Sequence, residues 1–184
     1  IPGKIHRFEV TEDGLAPAPD NPFPDSSIYA YGLRNTFAFT FDPFGDALFG
    51  SENGFKCDDE INLSLPGKNY GWGPDYGEQC FGTEPLDLPD YMIPMLSLNP
   101  TVGMTGITVY VGTMFPDWEG QSFFCQWNSG TMQRAILDES RTAIEAVEQV
   151  DLGEYFCRID VTVGADGALY FTDPGGIYRI SSGI

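Results

Sequence analysis

The sequence repeats one short motif three times: GKIHRF at residues 3–8, GTMQRA at 130–135 and GGIYRI at 175–180. Each copy has a glycine, three further residues, an arginine and an apolar residue, and the last two arginines are about 45 residues apart. A second pair, FTFDPFGDAL at 39–48 and VTVGADGAL at 161–169, is typical of two strands joined by a glycine turn. Hairpins that recur about every 40 residues are typical of β-propeller blades.

The rest of the chain favours the same all-β class. Its 22 glycines and 14 prolines separate short alternating apolar runs, which favours strands over a helical bundle. The one run with helical spacing, 139–150, is short and contains β-branched residues, so we interpret it as strand and loop. We expect one partial propeller domain over 1–184, with about three four-stranded blades near 28–72, 100–150 and 157–182, a strand of a preceding blade at 3–10 and a loop insertion at 73–100.

The charge and apolar content exclude several classes of function. Nine basic and 27 acidic residues give a net charge of −18, which excludes a nucleic-acid surface and an anionic-membrane surface. Hydrophobic residues make up 42% of the chain, too many for a disordered acidic tail. No apolar stretch approaches the roughly 18 residues of a membrane-spanning helix. We therefore predict no nucleic-acid partner and no membrane insertion.

The four cysteines indicate the cellular compartment of the protein. None belongs to a Cys-X-X-Cys pair, and their even number favours two disulfides and a secreted or periplasmic protein over the alternative of four buried thiols. The chain opens on Ile1 with no signal peptide before it, so we expect a mature form or a fragment.

Four longer motifs follow one another along the chain: YGLRN at 31–35, SENGFKCDDEIN at 51–62, GKNYGW at 67–72 and GADGALY at 164–170. In this order and spacing they resemble the glucose/sorbosone dehydrogenases, which include quinoprotein glucose dehydrogenases, aldose sugar dehydrogenases and Hedgehog-interacting-protein-like proteins. The resemblance covers almost the whole chain but only the C-terminal half of a family member. It implies a six-bladed β-propeller that binds pyrroloquinoline quinone (PQQ) and calcium at the channel mouth and oxidises the C1 hydroxyl of an aldose sugar to the lactone.

The resemblance also implies cofactor-binding residues. Arg34, Asn35 and Thr101 match residues that contact PQQ, and a guanidinium fork suits the carboxylates of the cofactor. An arginine that bonds to loop carbonyls is the alternative for Arg34. The chain departs from the family at three further positions: Asn99 replaces a tryptophan that packs on the quinone, Asn128 replaces a lysine, and Arg158 is one place out of register with an arginine.

Calcium is the second implied cofactor. The carbonyls of Gly54 and Phe55 match those that hold the calcium on PQQ, with Phe55 in place of a proline. A second calcium site is implied by Asp59, Glu60 and the carbonyl of Tyr70, because calcium prefers oxygen ligands. Further ligands are expected from Asp75 and Glu78, and a solvated acidic loop is the alternative.

The sequence offers no clear candidate for the base that sugar oxidation requires. The only histidine, His6, lies in a predicted outer strand, whereas oxidation of a sugar hydroxyl needs a base. No catalytic residue is therefore assigned in this chain. Two interpretations follow: part of a PQQ-dependent sugar dehydrogenase, or a non-catalytic extracellular propeller that binds a protein or glycan.

The predicted blades lead to two further expectations. We expect the disulfides Cys57–Cys80, across the acidic loop and its insertion, and Cys125–Cys157, between strands of successive blades. About three blades cannot close a ring, because closed propellers typically have four to eight. We therefore expect the ring to be completed by an upstream half of the same polypeptide, a second chain or a second copy.

Overall fold

The computed structural model describes residues 3–73 and 79–182. Within these ranges the chain is all-β, with one short 3-10 helix at Pro116–Trp118. The strands are β1 (Lys4–His6), β2 (Phe8–Thr11), β3 (Gly14–Pro17), β4 (Ile28–Tyr31), β5 (Thr36–Asp42), β6 (Ala47–Glu52), β7 (Asp59–Ser64), β8 (Leu96–Leu98), β9 (Met104–Val109), β10 (Ser122–Gln126), β11 (Met132–Leu137), β12 (Ile144–Val150), β13 (Asp160–Val163), β14 (Leu169–Asp173) and β15 (Gly176–Ile180).

Antiparallel sheets form the blades. The first blade has the strand order β5-β6-β7-β8, and the second has β9-β10-β11-β12. The third, β13-β14-β15, has three strands. Before the first blade, β1 pairs with β4, and the segment between them forms the β2-β3 hairpin. Most connections within a blade are short turns, as expected for consecutive antiparallel strands, but β7 and β8 are joined by the long segment 65–95 and β9 and β10 by 110–121, which contains the 3-10 helix.

Two apolar cores lie between the blades. Phe123 and Phe124 are neighbours in β10 and both are fully buried, but they belong to different cores because successive residues of a strand point to opposite faces. Phe124 packs in the core shared with the first blade, and Phe123 packs in the core shared with the third. The strands β5, β9 and β13 lie side by side as the inner layer.

The inner strands all begin at the same end of the propeller. Thr36 at the start of β5 pairs with Glu52 at the end of β6, so the segment before β5 and the β6–β7 turn lie together. The same arrangement recurs in the second blade, where the Trp127 N–H donates to the Gly103 carbonyl at 2.7 Å. We call this end the mouth and define it as residues 32–35, 53–58, 99–103, 127–131 and 156–159.

The structure confirms the all-β propeller, and it confirms strand and loop at 139–150, where β12 forms. The first blade has limits that differ from those predicted. Its predicted first strand, β4, pairs with β1 instead, and its fourth strand, β8, lies inside the segment predicted as an insertion. The sequence pattern does not reveal β8, because this strand is only three residues long and has a proline close to each end.

Both predicted disulfides are present. Cys57 is bonded to Cys80 and Cys125 to Cys157, with Cα–Cα distances of 5.8 and 5.1 Å. The second bond joins β10 of the second blade to the segment that leads into β13, so it ties neighbouring blades together. In the described ranges, no helix has the length and apolar character that a bilayer-spanning helix requires.

Candidate functional site

Arg34 lies at the mouth, immediately before β5. Its Nη1 donates hydrogen bonds to the carbonyls of Asn53, at 2.8 Å, and Gly54, at 3.0 Å. The guanidinium lies 5.5 Å from the centre of the Trp72 ring and 5.6 Å from that of Phe55. The contacts to loop carbonyls are those of the structural alternative considered for this arginine. Arg34 is nevertheless exposed, and its Nε and Nη2 have no hydrogen-bond partner among residues 3–73 and 79–182.

A buried glutamate fixes the backbone of Arg34 and Asn35. The Glu52 carboxylate accepts the N–H of Arg34 at 2.7 Å, the N–H of Asn35, and the hydroxyl of Thr36 at 2.6 Å. Burial raises the pKa of Glu52, while these hydrogen bonds and the charge of Arg34 act to lower it. Glu52 therefore sets the path of the chain on which two predicted cofactor residues stand.

Asp59, one of the residues predicted for the second calcium site, binds backbone amides. Its Oδ1 accepts the Gly54 N–H at 2.9 Å, and its Oδ2 accepts the N–H groups of Val102 at 2.8 Å and Gly103 at 2.7 Å. Asp59 and Glu60 are adjacent in β7, so their side chains project to opposite faces of the sheet. The structure thus separates the two carboxylates that the sequence placed in one site.

Four of the five predicted calcium-binding residues line one cleft, which we call the acidic cleft. It is lined by Arg34, Glu52, Gly54, Phe55, Asp58, Glu60, Tyr70, Trp72 and Tyr91, among others. Asn62, adjacent to the cleft, donates its Nδ2 to Glu60 Oε2 at 3.0 Å, but its buried Oδ1 has no hydrogen-bond partner within the described part of the chain. Burial, with the nearby acids Glu52 and Asp58, raises the pKa of Glu60 to about 8.

Tyr70 is held by its own hydroxyl. The hydroxyl donates to the Leu63 carbonyl at 2.5 Å and accepts the Leu65 N–H at 2.9 Å, and burial raises the pKa of Tyr70 to about 12. The Tyr70 N–H donates to the Tyr31 carbonyl at 2.9 Å. These bonds leave the phenol unsuited to ligation, so only the backbone carbonyl of Tyr70 is a candidate ligand.

Asp58 has a structural role in the wall of the acidic cleft. Its carboxylate accepts the N–H groups of Phe81 and Gly82, at 2.6 and 3.2 Å, and the hydroxyl of Ser97. Among the described residues, the only group of three side chains with metal-ligand spacing is Asp58 with Cys57 and Cys80. Those cysteines form a disulfide and are not free thiolates, so this group is no metal site. The predicted ligands Asp75 and Glu78 lie outside the described residues.

A second opening at the mouth, the apolar cleft, adjoins the first through Asn53. It is lined by Phe37, Asn53, Gly103, Met104, Thr105, Trp127, Arg158 and Ile159. Phe37 and Trp127 are half exposed there. The Arg158 guanidinium lies 4.3 Å from the centre of the Phe156 ring, and its Nε donates to the Trp127 carbonyl at 3.3 Å. The apolar cleft therefore has mainly apolar walls and a cation, Arg158, at its rim.

The remaining predicted residues lie beside the apolar cleft or far from it. The Thr101 carbonyl accepts Nδ2 of Asn128 at 3.0 Å, and the Asn128 N–H donates to the Val102 carbonyl. Asn128 thus braces the loop instead of presenting a charge. His6 lies in β1, where its Nδ1 bonds to Ser27 Oγ at 2.8 Å, away from the mouth.

Sequence reasoning missed four residues that shape the site: Glu52, Asn62, Trp72 and Trp127. Glu52 in β6 and Glu60 in β7 lie directly opposite each other in the antiparallel pair. Two acidic residues at opposite positions of a predicted hairpin were the sequence signal that could have revealed this pair. Asn62 follows Glu60 by two residues and so shares its face of the strand. We find no sequence signal that singles out Trp127.

Comparison with known proteins places this geometry in context. The family model described as Glucose / Sorbosone dehydrogenase matches residues 2–179. The chain belongs to this family. Among glucose/sorbosone dehydrogenases with curated names, the aldose sugar dehydrogenase YliI of Escherichia coli is 30% identical over 190 residues, which cover 92% of this chain and 47% of that protein.

Solved structures of the family share the fold. A structure described as glucose dehydrogenase superposes with a TM-score of 0.79 at 29% identity and covers 99% of this chain and 54% of its own. The PQQ-bound aldose sugar dehydrogenase of Streptomyces coelicolor gives a TM-score of 0.68 at 28% identity over 97% of this chain and 51% of its own. The chain therefore spans about half the length of the relatives it matches.

Proposed function

We propose that this chain is part of a PQQ-dependent sugar dehydrogenase that oxidises the C1 hydroxyl of an aldose to the lactone. The observation that carries the proposal is the mouth itself. There the predicted cofactor residue Arg34 lines a cleft that adjoins a second one at Asn53, and Thr101 lies in the loop that leads to Gly103 of the second cleft. The solved relatives of the chain include a PQQ-bound enzyme. When bound, PQQ would supply the two-electron acceptor for the hydride that leaves C1.

The residues of the apolar cleft fit a planar aromatic cofactor. Phe37, Met104, Trp127 and Ile159 offer flat or apolar surfaces, and aromatic rings stack favourably on such surfaces. PQQ also carries carboxylates, which guanidinium groups bind well. Arg158 is at the rim of the apolar cleft, and Arg34 lines the adjoining acidic cleft. Both cations are therefore close to the space proposed for the cofactor. We propose that Arg34, Asn35 and Thr101 bind the cofactor from the first and second blades.

The acidic cleft fits a hard cation. The carbonyls of Asn53 and Gly54 already converge on a positive group, the Arg34 guanidinium, and carbonyl oxygens are good calcium ligands. The Glu60 carboxyl group, which a bound cation would hold ionised against its raised pKa, and the Asn62 Oδ1, which has no donor among the described residues, supply oxygen ligands nearby. We propose that the Gly54 and Phe55 carbonyls hold one calcium ion and that Glu60 and the Tyr70 carbonyl hold a second.

The base for the sugar hydroxyl must come from elsewhere. His6 is the chain's only histidine, and it is bonded to Ser27 away from the mouth. We propose that the proton acceptor and the remaining blades belong to sequence beyond these residues or to another chain. The two disulfides fit a secreted or periplasmic enzyme, because disulfides persist in oxidising compartments.

The test is sugar-dependent reduction of an electron-accepting dye by the complete propeller, that is, this chain together with the blades that supply the base. It is measured with PQQ and calcium and then with each omitted. We expect dye reduction only with both cofactors. We also expect Arg34→Ala to weaken PQQ binding by about tenfold or more, because it removes a charge-assisted contact. The matched control is Arg179→Ala, which deletes an exposed arginine paired with Asp166. It should bind PQQ as the wild type does.

The opposite outcome favours the second candidate function. If PQQ with calcium neither supports dye reduction nor changes tryptophan fluorescence, the protein is not a quinoprotein. The absence of a lysine at Asn128 and of a mouth histidine would then favour a propeller that binds a protein or glycan through its loops.

A further inference from the structure

Asp59 connects two loops of the mouth that belong to different blades. It is fully buried at the start of β7. One carboxylate oxygen accepts the Gly54 N–H of the β6–β7 turn in the first blade. The other accepts the N–H groups of Val102 and Gly103 in the segment that leads into the second blade. One side chain therefore fixes the spacing between these two loops.

The carboxylate is satisfied without a cation. A carboxylate offers about four lone-pair sites, and three of those of Asp59 are occupied by amide donors at 2.7–2.9 Å. Such bonds satisfy the acceptor capacity of a buried carboxylate. None of the four ion pairs among the described residues includes Asp59, and its side chain does not line the acidic cleft.

Both loops carry groups that the proposed function needs. Gly54 contributes a carbonyl that faces Arg34, and Thr101 directly precedes Val102. Gly103 continues the chain of contacts, since its carbonyl accepts the Trp127 N–H. The backbone is closely packed at Gly54, because a Cβ built there would lie 1.8 Å from the Cys57 carbonyl oxygen.

We propose that Asp59 is a positioning residue, not a metal ligand: it holds the Gly54 loop and the Thr101 loop at the separation that the cofactor requires. This inference rests on the proposed function of the mouth. It reassigns one member of the acidic run 58–60, in which Asp58 and Glu60 line the acidic cleft and Asp59 holds two loops.

The decisive variant is Asp59→Asn. The amide keeps the shape of the side chain but replaces one acceptor oxygen with an NH₂ donor, so at least one backbone N–H then faces another donor. The matched control is Asp42→Asn. Asp42 is equally buried and also joins the first two blades, through Arg141, but it lies at the opposite end of the propeller.

Three quantities are measured for each protein at a temperature where all are folded: PQQ affinity, the number of calcium ions bound per chain, and amide hydrogen exchange. For Asp59→Asn we expect PQQ affinity to fall by about tenfold or more, the scale seen for residues that orient ligands. Calcium stoichiometry should not change, and the amides of Gly54, Val102 and Gly103 should exchange faster. For Asp42→Asn we expect a lower melting temperature with PQQ affinity within about twofold of wild type.

Several results would overturn the inference. Wild-type PQQ affinity in Asp59→Asn would do so. Loss of one calcium ion per chain at saturating calcium, with exchange at Gly54, Val102 and Gly103 unchanged, would also do so, because it would make Asp59 a ligand. If wild-type protein binds no PQQ, the proposed function fails, and the exchange data still decide whether Asp59 couples the loops. Should Asp59→Asn not fold, exchange in the wild type decides instead: the three amides must be protected although they lie in loops, and rapid exchange contradicts the proposal.

Discussion

The two ends of the propeller both join the first two blades with a buried aspartate, yet they satisfy it in different ways. At the end opposite the mouth, Asp42 binds Arg141 through both carboxylate oxygens, at 2.6 and 2.8 Å. Arg141 also donates to the Gly120 carbonyl and stacks on Phe44. At the mouth, Asp59 accepts only backbone amides.

The difference separates a structural end from a functional one. Asp42 and Arg141 neutralise each other, and both oxygens of the carboxylate are occupied by the guanidinium. At the mouth, Arg34 forms no ion pair with a carboxylate among residues 3–73 and 79–182, and Asn62 keeps a buried oxygen without a donor there, while Glu60 has a raised pKa. Such unsatisfied and perturbed groups are costly in a purely structural site and cluster where ligands bind.

The largest effect on stability should come from removing the Asp42–Arg141 ion pair at the end opposite the mouth. Arg141→Ala leaves the fully buried Asp42 without its cation, and removal of one partner of a buried pair costs about 3–5 kcal/mol. We expect the free energy of unfolding, measured by denaturant titration, to fall by that amount. PQQ affinity should be unchanged. A loss of PQQ affinity in the folded variant would show that the two ends are not independent.

The disulfide between the second and third blades should rank next. Replacing Cys125 and Cys157 together by serine frees a loop of 32 residues, and we expect a loss of about 3 kcal/mol in the free energy of unfolding. Thermal denaturation of the double variant, compared with the wild type under oxidising conditions, measures it. Equal melting temperatures would mean that packing at this junction does not depend on the bond.

A third effect concerns the acidic cleft in calcium-free protein. The folded-state pKa of Glu60 is about 8, above its ordinary value of 4.5, because Glu60 is buried near Glu52, Asp58 and Asp59; the nearby Tyr91 also has a raised pKa. The folded protein therefore keeps a proton that the unfolded chain releases, and stability falls as pH rises from about 4.5 to 8. We expect a loss of about 2 kcal/mol, since one pKa unit corresponds to about 1.4 kcal/mol and local relaxation reduces the full value.

Glu60→Gln is the control for this pH dependence. It removes the titrating group and should flatten the stability profile measured in a chelating buffer. An unchanged slope in this variant would assign the pH dependence to other acids.

The smallest effect is expected for Glu52→Gln. The glutamine Oε1 can still accept the N–H groups of Arg34 and Asn35, and its Nε2 can donate to the Thr36 hydroxyl. We expect a change below about 1 kcal/mol in the free energy of unfolding, because no contact is lost. Glu52→Ala, which removes all three bonds, should be clearly less stable. Equal stability of the two variants would argue against a role for Glu52 in holding this segment.

The sequence predicted the architecture better than it predicted the chemistry of single residues. Strand hairpins and both disulfides followed from alternation, glycine turns and cysteine positions, because these features act locally. β8 was missed because three residues carry too little pattern. The acidic run 58–60 was treated as one site, yet alternation along β7 sends Asp59 and Glu60 to opposite faces.

The contacts that give the mouth its properties depend on the tertiary fold. Asp59 meets Val102 and Gly103 only because the second blade packs on the first, some 43 residues further along the chain. The partnerless oxygen of Asn62 likewise depends on burial that no local pattern reveals. Resemblance to a family located the mouth residues but could not give their partners.

Amide hydrogen exchange with and without PQQ and calcium tests the central claim most directly, because it reports on both ends of the propeller at once. The account predicts slower exchange at 32–35, 53–58, 99–103, 127–131 and 156–159 when both cofactors are added, and no change at the turns around Asp42 and Arg141. Protection at those turns alone, or no change at the mouth with saturating PQQ and calcium, would contradict it.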